Sequence, residues 1–235
     1  MPAPLSRSYR NGLLARLSPG DLAHLESYLV PVTLEQRKSM ELPQKPIEHI
    51  YFPEHGIVSV VTANDPNAHI EIGLIGREGV TGLAVIMGSA TSPHSTYVQA
   101  PGHALRIAVK PFLGACEQSE TLRSLLLRYA HVFMVQTANT AAANAKGTIE
   151  ERLARWLLMA QDRMDSDKLP LTHEFLAVML GARRPGVTEA LRELAKGGLI
   201  RKDRGIIAVL DRTGLIKRAG RLYGEPEAEY KRQFG

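Results

Sequence analysis

Cysteine is almost missing from this chain, which contains only Cys116. One thiol excludes an internal disulfide framework, and it cannot by itself hold an iron–sulfur cluster, which needs several thiolate ligands. We therefore expect no iron–sulfur cofactor and no redox sensing through one.

Long apolar runs are also missing. No stretch approaches the roughly 18 apolar residues that a membrane-spanning helix needs, and the arginine-containing N-terminus lacks the apolar core of a signal peptide. Apolar residues still make up 44% of the 235, so the chain can bury a substantial core, and its length favours two domains. We expect a cytoplasmic protein without a membrane partner.

Catalytic motifs are a third absence. The sequence has no Gly-x-Ser-x-Gly, His-Glu-x-x-His or phosphate-binding Gly-x-x-x-x-Gly-Lys pattern. His49 and His55 lie in an apolar, β-branched region, but they lack the His-x-His spacing of a cupin metal site. We expect that the protein is not an enzyme and holds no metal.

Positive charge is present and unevenly distributed. The net charge is +5, yet residues 1–146 are nearly balanced, whereas residues 171–223 hold 11 Lys and Arg against 5 Asp and Glu. A basic C-terminal segment is compatible with nucleic-acid binding, although a solvated surface has the same composition.

Short β-branched runs separated by turn formers occupy the first half of the chain. The spacing predicts an all-β sandwich or small barrel, preceded by a helix that opens at Ser18-Pro19. The predicted strands are residues 50–52, 57–62, 70–75, 97–100 and 104–109.

A long amphipathic helix is predicted from residue 119 to residue 145, where proline and glycine are absent. Its apolar stripe could pack on its own domain or form a two-helix dimer seam, and we favour the seam because little else would cover so long a helix. The alanine-rich residues 138–145 would allow close helix approach. The stripe consists of Leu122, Leu125, Leu126, Tyr129, Val132, Phe133 and Gln136.

A helix-turn-helix followed by a hairpin is predicted near the C-terminus. Thr148 and Glu151 predict a capping box for one helix. Thr172 predicts the cap of the next helix, Gly181 its end, and Pro185 the first turn of a helix that runs to Lys196. Residues 199–210 predict a β-hairpin with a basic, glycine-containing tip. Helix, turn, helix and basic hairpin in this order predict a winged helix.

The order of these elements resembles the cyclic-AMP receptor and fumarate–nitrate regulator (Crp/Fnr) family over nearly the whole chain. Residues 71–79, Glu-Ile-Gly-Leu-Ile-Gly-Arg-Glu-Gly, resemble the glycine-rich part of the family's effector-binding β-roll. Residues 151–158 resemble the start of its DNA-binding domain, and residues 176–194 resemble its helix-turn-helix.

The resemblance implies an α+β fold in three parts. Residues 1–118 would form a β-roll like the cyclic-nucleotide-binding jelly roll, residues 119–146 a dimerisation helix, and residues 147–235 the winged helix-turn-helix domain. The implied protein is a sequence-specific transcription regulator that binds palindromic double-stranded DNA as a homodimer, with RNA polymerase as a further partner.

Residues that would contact DNA follow from the outward positions of the second helix and from the basic wing. Arg184 occupies the place of a family arginine that contacts guanine, whereas Pro185 and Glu189 differ from the cyclic-AMP receptor, so the target sequence should differ too. The predicted contacts are Thr172, Arg183, Arg184, Thr188, Glu189, Arg192, Arg201, Lys202 and Arg204.

The resemblance also implies an effector pocket that departs from the family pattern. Gly82-Leu83 and His94-Ser95 stand where cyclic-nucleotide binders have Gly-Glu and Arg-Ser, so the partners of ribose and phosphate are missing and cyclic AMP is not expected to bind. A protonated His94 could partly replace the arginine, or it could be an ordinary loop histidine. The predicted pocket residues are Gly76, Glu78, Gly79, Gly82, His94, Ser95 and Thr137.

Other functions stay open from the sequence alone. The chain could be a haem or small-molecule sensor that acts through the same DNA-binding domain, a regulator that needs no ligand, or a protein-interaction module without a DNA target. No cofactor is evident from the residues.

Overall fold

The computed structural model describes residues 9–62, 70–164 and 166–235. A first helix, α1 (Pro19–Glu26), opens as predicted, because the Ser18 side chain accepts a hydrogen bond from the Asp21 amide. Among the described residues, no helix is both long and apolar enough to cross a bilayer.

An antiparallel sheet forms the N-terminal half. Its strands lie in the order β1 (Val30–Leu34), β5 (Ser95–Ala108), β3 (His49–Val61) and β4 (Glu71–Ile75), and β2 (Ser39–Glu41) pairs with the beginning of β5. The short helices α2 (Leu83–Ile86) and α3 (Val109–Gln118) flank β5 in sequence.

Two of these strands are longer than the sequence predicts. The predicted runs 50–52 and 57–62 belong to the single strand β3, and the runs 97–100 and 104–109 belong mainly to β5. The residues between the runs make irregular pairings instead of turns: the β3–β5 register shifts between Pro53 and Val58, where Gly56 adopts a φ of +94°. Bulges of this kind absorb proline and glycine without ending a strand.

The long helix α4 (Glu120–Lys146) follows, and all seven side chains of its predicted seam stripe are buried within their own protomer. Phe133 packs on the sheet, and the Gln136 amide exchanges hydrogen bonds with the backbone of Leu74 at 2.7 and 3.1 Å. The prediction that this stripe forms the dimer seam is therefore wrong. A helical wheel shows that one face is apolar but not whether the helix's own sheet or a second copy covers it.

The C-terminal half begins with α5 (Ile149–Arg163), which the predicted capping box of Thr148 and Glu151 opens. A small antiparallel sheet follows, in the order β6 (Lys168–Leu169), β8 (Ile206–Val209), β7 (Ile200–Asp203). The further helices of this half are α6 (His173–Met179), α7 (Arg184–Lys196) and α8 (Arg212–Ala219).

The last helix, α9 (Glu225–Phe234), returns to the N-terminal half and lies along α4. Phe234 is buried in the core formed by α1, α3, α4 and the sheet, and its carbonyl accepts a hydrogen bond from Nε of Arg16 at 2.9 Å. The predicted unit 147–235 is thus fastened to the rest of the protomer at its end.

The two halves also share a buried core. Ile57, Val61 and Leu74 of the sheet belong to the same cluster as Trp156 of α5 and Met179 of α6. At its centre, Nε1 of Trp156 donates to the buried Glu71 carboxyl group at 2.5 Å. In this arrangement the C-terminal half is docked directly on the N-terminal sheet.

Candidate nucleic-acid interface and small-molecule cavity

Two helices meet at a short turn to form the candidate interface. Oγ1 of Thr172 caps α6 by accepting from the Phe175 amide at 3.2 Å, as predicted. The helix α7 starts at Arg184, with Pro185 in its first turn where a missing N–H costs nothing. Its inner face, which fixes the helix on the core, consists of Val187, Ala190, Leu191 and Leu194.

The nine predicted DNA-contacting side chains are all exposed. The structure places Arg183 and Arg184 at the N-terminus of α7, and Thr188, Glu189 and Arg192 on the solvent side of the same helix. The N-terminus of a helix also presents free backbone N–H groups, which favour phosphate oxygens.

The wing is the hairpin of β7 and β8, with Asp203 paired to Ile206. Gly205 has a φ of +73°, a conformation that glycine adopts without strain, so the chain reverses in two residues. Arg201, Lys202 and Arg204 are exposed on it.

His173 connects α6 with α7, and its pKa reflects the positive charge around it. Its Nδ1 lies 3.1 Å from Oγ1 of Thr188, which joins the start of α6 to the outer face of α7. Burial lowers the pKa of His173, and the positive charges of Lys202 and Arg184 lower it further. Positive charges of the wing and of the start of α7 therefore both lie close enough to His173 to lower its pKa. The sequence pattern alone does not indicate a role for His173, because its partner Thr188 lies on the other side of the turn.

Two exposed ion pairs moderate the positive charge. Arg192 contacts Glu189 at 2.5 Å, and Arg201 contacts Asp203 at 3.2 Å. Exposed pairs of this kind contribute about 0–1 kcal/mol, so both arginines can exchange their carboxylate for a phosphate or a base.

A cavity of about 520 Å³ lies between the N-terminal sheet and α4. Gly82, His94 and Thr137 of the predicted effector pocket line it, and Ser95 is the first residue of β5, next to His94.

The other predicted pocket residues lie elsewhere, which corrects the prediction for Gly76, Glu78 and Gly79. Gly76 faces the Arg163 side chain, Glu78 pairs with Arg163 at 2.8 Å, and Gly79 faces Tyr129. Ile72 and Ile75 of β4 line the cavity, whereas Gly76, Glu78 and Gly79 come after the strand and are not part of its wall. Nearness in sequence to Gly82 therefore did not mean nearness in space.

The lining of this cavity, called here the sheet–helix cavity, is mostly apolar. Glu41 lies against it: its carboxyl oxygens accept from the Gly82 amide at 2.8 Å and from Oγ1 of Thr96 at 3.1 Å. Burial raises the pKa of Glu41 above its usual range, and burial lowers the pKa of His94. A neutral His94 is a poor substitute for an arginine that holds a phosphate. Glu41 was missed from sequence, because its partners are distant in the chain.

A helix-turn-helix with a basic wing, mounted on a sheet and a long helix, defines the class of a winged-helix DNA-binding regulator. Residues 151–218 match the family model of the Crp-like helix-turn-helix domain. Residues 151–218 therefore form a Crp-like helix-turn-helix domain, and the curated relatives that the chain resembles are global nitrogen regulators.

Known proteins show the same likeness. The global nitrogen regulator of Synechocystis sp. is 24% identical over 178 residues, which cover 72% of this chain and 79% of that protein. The structure of FixK2 from Bradyrhizobium japonicum has a TM-score of 0.71 at 14% identity and covers 82% of this chain and 98% of that one. A Crp/Fnr-family regulator from Eubacterium rectale has a TM-score of 0.68 at 17% identity, with 88% and 97% covered. These structures confirm the predicted fold.

Proposed function

We propose that the protein binds an imperfect palindrome in double-stranded DNA as a homodimer, with α7 in the major groove and the wing on the phosphate backbone. One observation supports this proposal: Arg183 and Arg184 at the start of α7 and the three cations of the wing are all exposed, and charges from both elements act on His173. Twofold symmetry would place the two α7 helices about 34 Å apart, one helical turn of DNA.

The dimer seam is proposed on the outer face of α4. Leu127 and Met134 are apolar yet 41% and 62% exposed, and with His131 they begin a row spaced alternately by four and three residues. Exposed alanines continue this row at 138, 141 and 145. Such spacing is that of a left-handed two-helix coil, and alanines let two helices approach closely.

An effector other than cyclic AMP is proposed for the sheet–helix cavity. Leu127, His131 and Met134 belong to both the cavity wall and the proposed seam, so a second protomer would close the cavity. An apolar organic molecule bound there would favour one relative position of the two α4 helices, and through them of the two α7 helices. Contact with RNA polymerase is proposed on the family likeness alone.

Haem is a second candidate for the same cavity, because two imidazoles, those of His94 and His131, lie in an apolar wall. Absorbance of the purified protein separates the two candidates. A Soret band would favour haem, and a colourless protein that cyclic AMP does not stabilise would favour an apolar organic effector.

The DNA-binding proposal is tested by selecting genomic fragments with the full-length protein at one stated salt concentration. We expect a palindromic motif. Arg184→Ala should weaken binding to it by about 1–3 kcal/mol and relax the preference at one base position. The control Lys217→Ala, on α8 beside the start of α5, should bind like the wild type. Equal affinity of Arg184→Ala and wild type would contradict base reading by this helix.

A further inference from the structure

A second cavity, of about 460 Å³, lies where the parts of the protomer converge. Its walls come from the N-terminal segment, the turn after β4, α4, the end of α5, α8 and α9. Neither the DNA-binding surface nor the sheet–helix cavity includes this space, called here the junction cavity.

The junction cavity is positively charged. Its described lining holds five arginines against three carboxylates. Cations from four separate parts of the chain therefore converge on one space. The arginines are Arg10, Arg16, Arg77, Arg163 and Arg212.

The carboxylates of the wall are already engaged. Glu78 pairs with Arg163 at 2.8 Å, Asp162 contacts Arg212 at 2.6 Å, and Glu227 accepts from the Gly224 amide at 3.0 Å as it caps α9. Two arginine charges are thus neutralised locally, while the lining as a whole keeps a surplus of two positive charges.

The wall also holds buried polar atoms without a well-formed hydrogen bond to any described residue: the Tyr129 hydroxyl group and Oε2 of Glu78. Tyr129 is only 2% exposed. A buried polar atom without a partner costs about 1–3 kcal/mol, so a ligand that offers an acceptor to Tyr129 and a hydroxyl group to Glu78 would relieve that cost.

The pKa of Tyr230, another wall residue, is consistent with the positive charge of the cavity lining. Burial raises its pKa to about 12 and Glu78 adds to the rise, whereas Arg16, Arg163 and Arg77 oppose it. Three of the five arginines therefore act on the interior of the cavity.

From these contacts we infer that the junction cavity binds a small organic anion with at least two negative charges, held by its arginines and by the Tyr129 hydroxyl group. Phosphate and carboxylate groups share this chemistry, since both accept charge-assisted hydrogen bonds from guanidinium groups. The bound anion would connect the N-terminal half, α4 and α9, and so stabilise the docked position of the DNA-binding half.

The test is calorimetric titration of the full-length protein, without DNA, with pyrophosphate and separately with citrate, each against sodium chloride of matched ionic strength. We expect saturable binding of at least one probe, and the stronger probe identifies phosphate or carboxylate as the preferred group. Arg77→Gln should weaken it by about tenfold or more, as expected for the removal of one charge-assisted hydrogen bond. If Arg77→Gln is less stable without ligand, Arg10→Gln on the exposed rim replaces it.

Two variants control the assignment. Lys110→Gln removes one positive charge from exposed α3, outside the cavity, and should bind the probe like the wild type. Thr137→Val alters the sheet–helix cavity and should also have no effect. Binding no stronger than the salt control would overturn the inference. So would equal weakening by Lys110→Gln, which indicates general surface charge, or by Thr137→Val, which places the anion in the other cavity.

Discussion

Glu71 is the residue at which the two halves of the protomer meet, and it is only 4% exposed. The Ser59 hydroxyl group lies 2.6 Å from one Glu71 oxygen and 3.1 Å from the Gln99 side-chain oxygen. A hydroxyl group has one proton and cannot donate to both. Two arrangements satisfy this count: a protonated Glu71 donates to Ser59 while Ser59 donates to Gln99, or the Gln99 amide group is rotated by 180° so that its nitrogen donates to Ser59. Burial raises the pKa of Glu71 from 4.5 to about 7, which favours the arrangement with a protonated Glu71 below that pH.

Glu71→Gln should therefore change how stability depends on pH. In the wild type the folded state keeps a proton that the unfolded chain loses above about pH 4.5, so the free energy of unfolding falls as pH rises to about 7, by roughly 3 kcal/mol. Glutamine carries its N–H donors at every pH, and this part of the slope should vanish. Urea unfolding between pH 5 and pH 8 measures it. The control Glu35→Gln, at an exposed turn, should keep the wild-type slope, and an unchanged slope in Glu71→Gln would refute the argument.

Residue roles could be predicted from sequence where they are local. Ser18, Thr148 and Thr172 cap the helices that their positions predict, because each bonds an amide three residues away. Glu71 could not be predicted, because Ser59 and Trp156 are 12 and 85 residues away in the chain.

At the scale of elements, α4 packs closely on the turn that follows β4. A methyl group at Gly79 would overlap the Tyr129 side chain. Gly79→Ala should destabilise the fold by about 1–3 kcal/mol, the usual cost of overpacking. Urea unfolding measures the difference. Gly114→Ala is the matched control, because it lies in the helix α3 with open space around it and should be neutral or slightly stabilising. Equal stability of the two variants would contradict such close packing.

The outer face of α4 gives a second prediction at this scale. Met134→Glu should convert the proposed dimer into a monomer, because two carboxylates would meet across a narrow helix interface. Light scattering during size-exclusion chromatography measures the mass. Tyr28→Glu, which places the same charge at another exposed apolar site, 53% exposed, should leave the mass unchanged. A dimeric Met134→Glu would contradict this seam.

The absence of proline and glycine predicted that α4 exists and where it begins and ends. It did not predict which surface the helix packs on. Both faces carry apolar residues, and only the sheet's position decides which face is internal. For the strands the error was of the opposite kind: Pro53 and Gly56 indicate a turn locally, yet pairing with β5 keeps β3 continuous through them.

At the scale of the whole molecule, the DNA-binding surface predicts a salt dependence. Removal of one cation that neutralises a phosphate should reduce the slope of log affinity against log salt by roughly 0.9. Lys202→Ala removes one such cation from each protomer and should therefore flatten the slope by roughly two units in a dimer, while the preferred sequence stays the same. Titration of the selected motif at several salt concentrations measures this. Lys217→Ala provides the reference slope, and a wild-type slope in Lys202→Ala would exclude this lysine from the proposed phosphate-binding residues.

The winged helix could be predicted because all of its parts lie within about 40 successive residues. The return of α9 to α4 could not, because the hydrogen bond of Arg16 with Phe234 joins residues that are 218 positions apart. Nothing in the α9 sequence distinguishes this partner from any other apolar surface.

The return of α9 also has a mechanical consequence. A body attached at one point can turn in any direction, whereas a body attached at two points can turn only about the line through them. The DNA-binding half is joined to α4 at Gly147 and again through α9. While the shared core around Trp156 is intact, the two halves stay docked. Once that core opens, the two attachments limit the DNA-binding half to rotation about the line through them, and rotation in any other direction also requires α9 to detach.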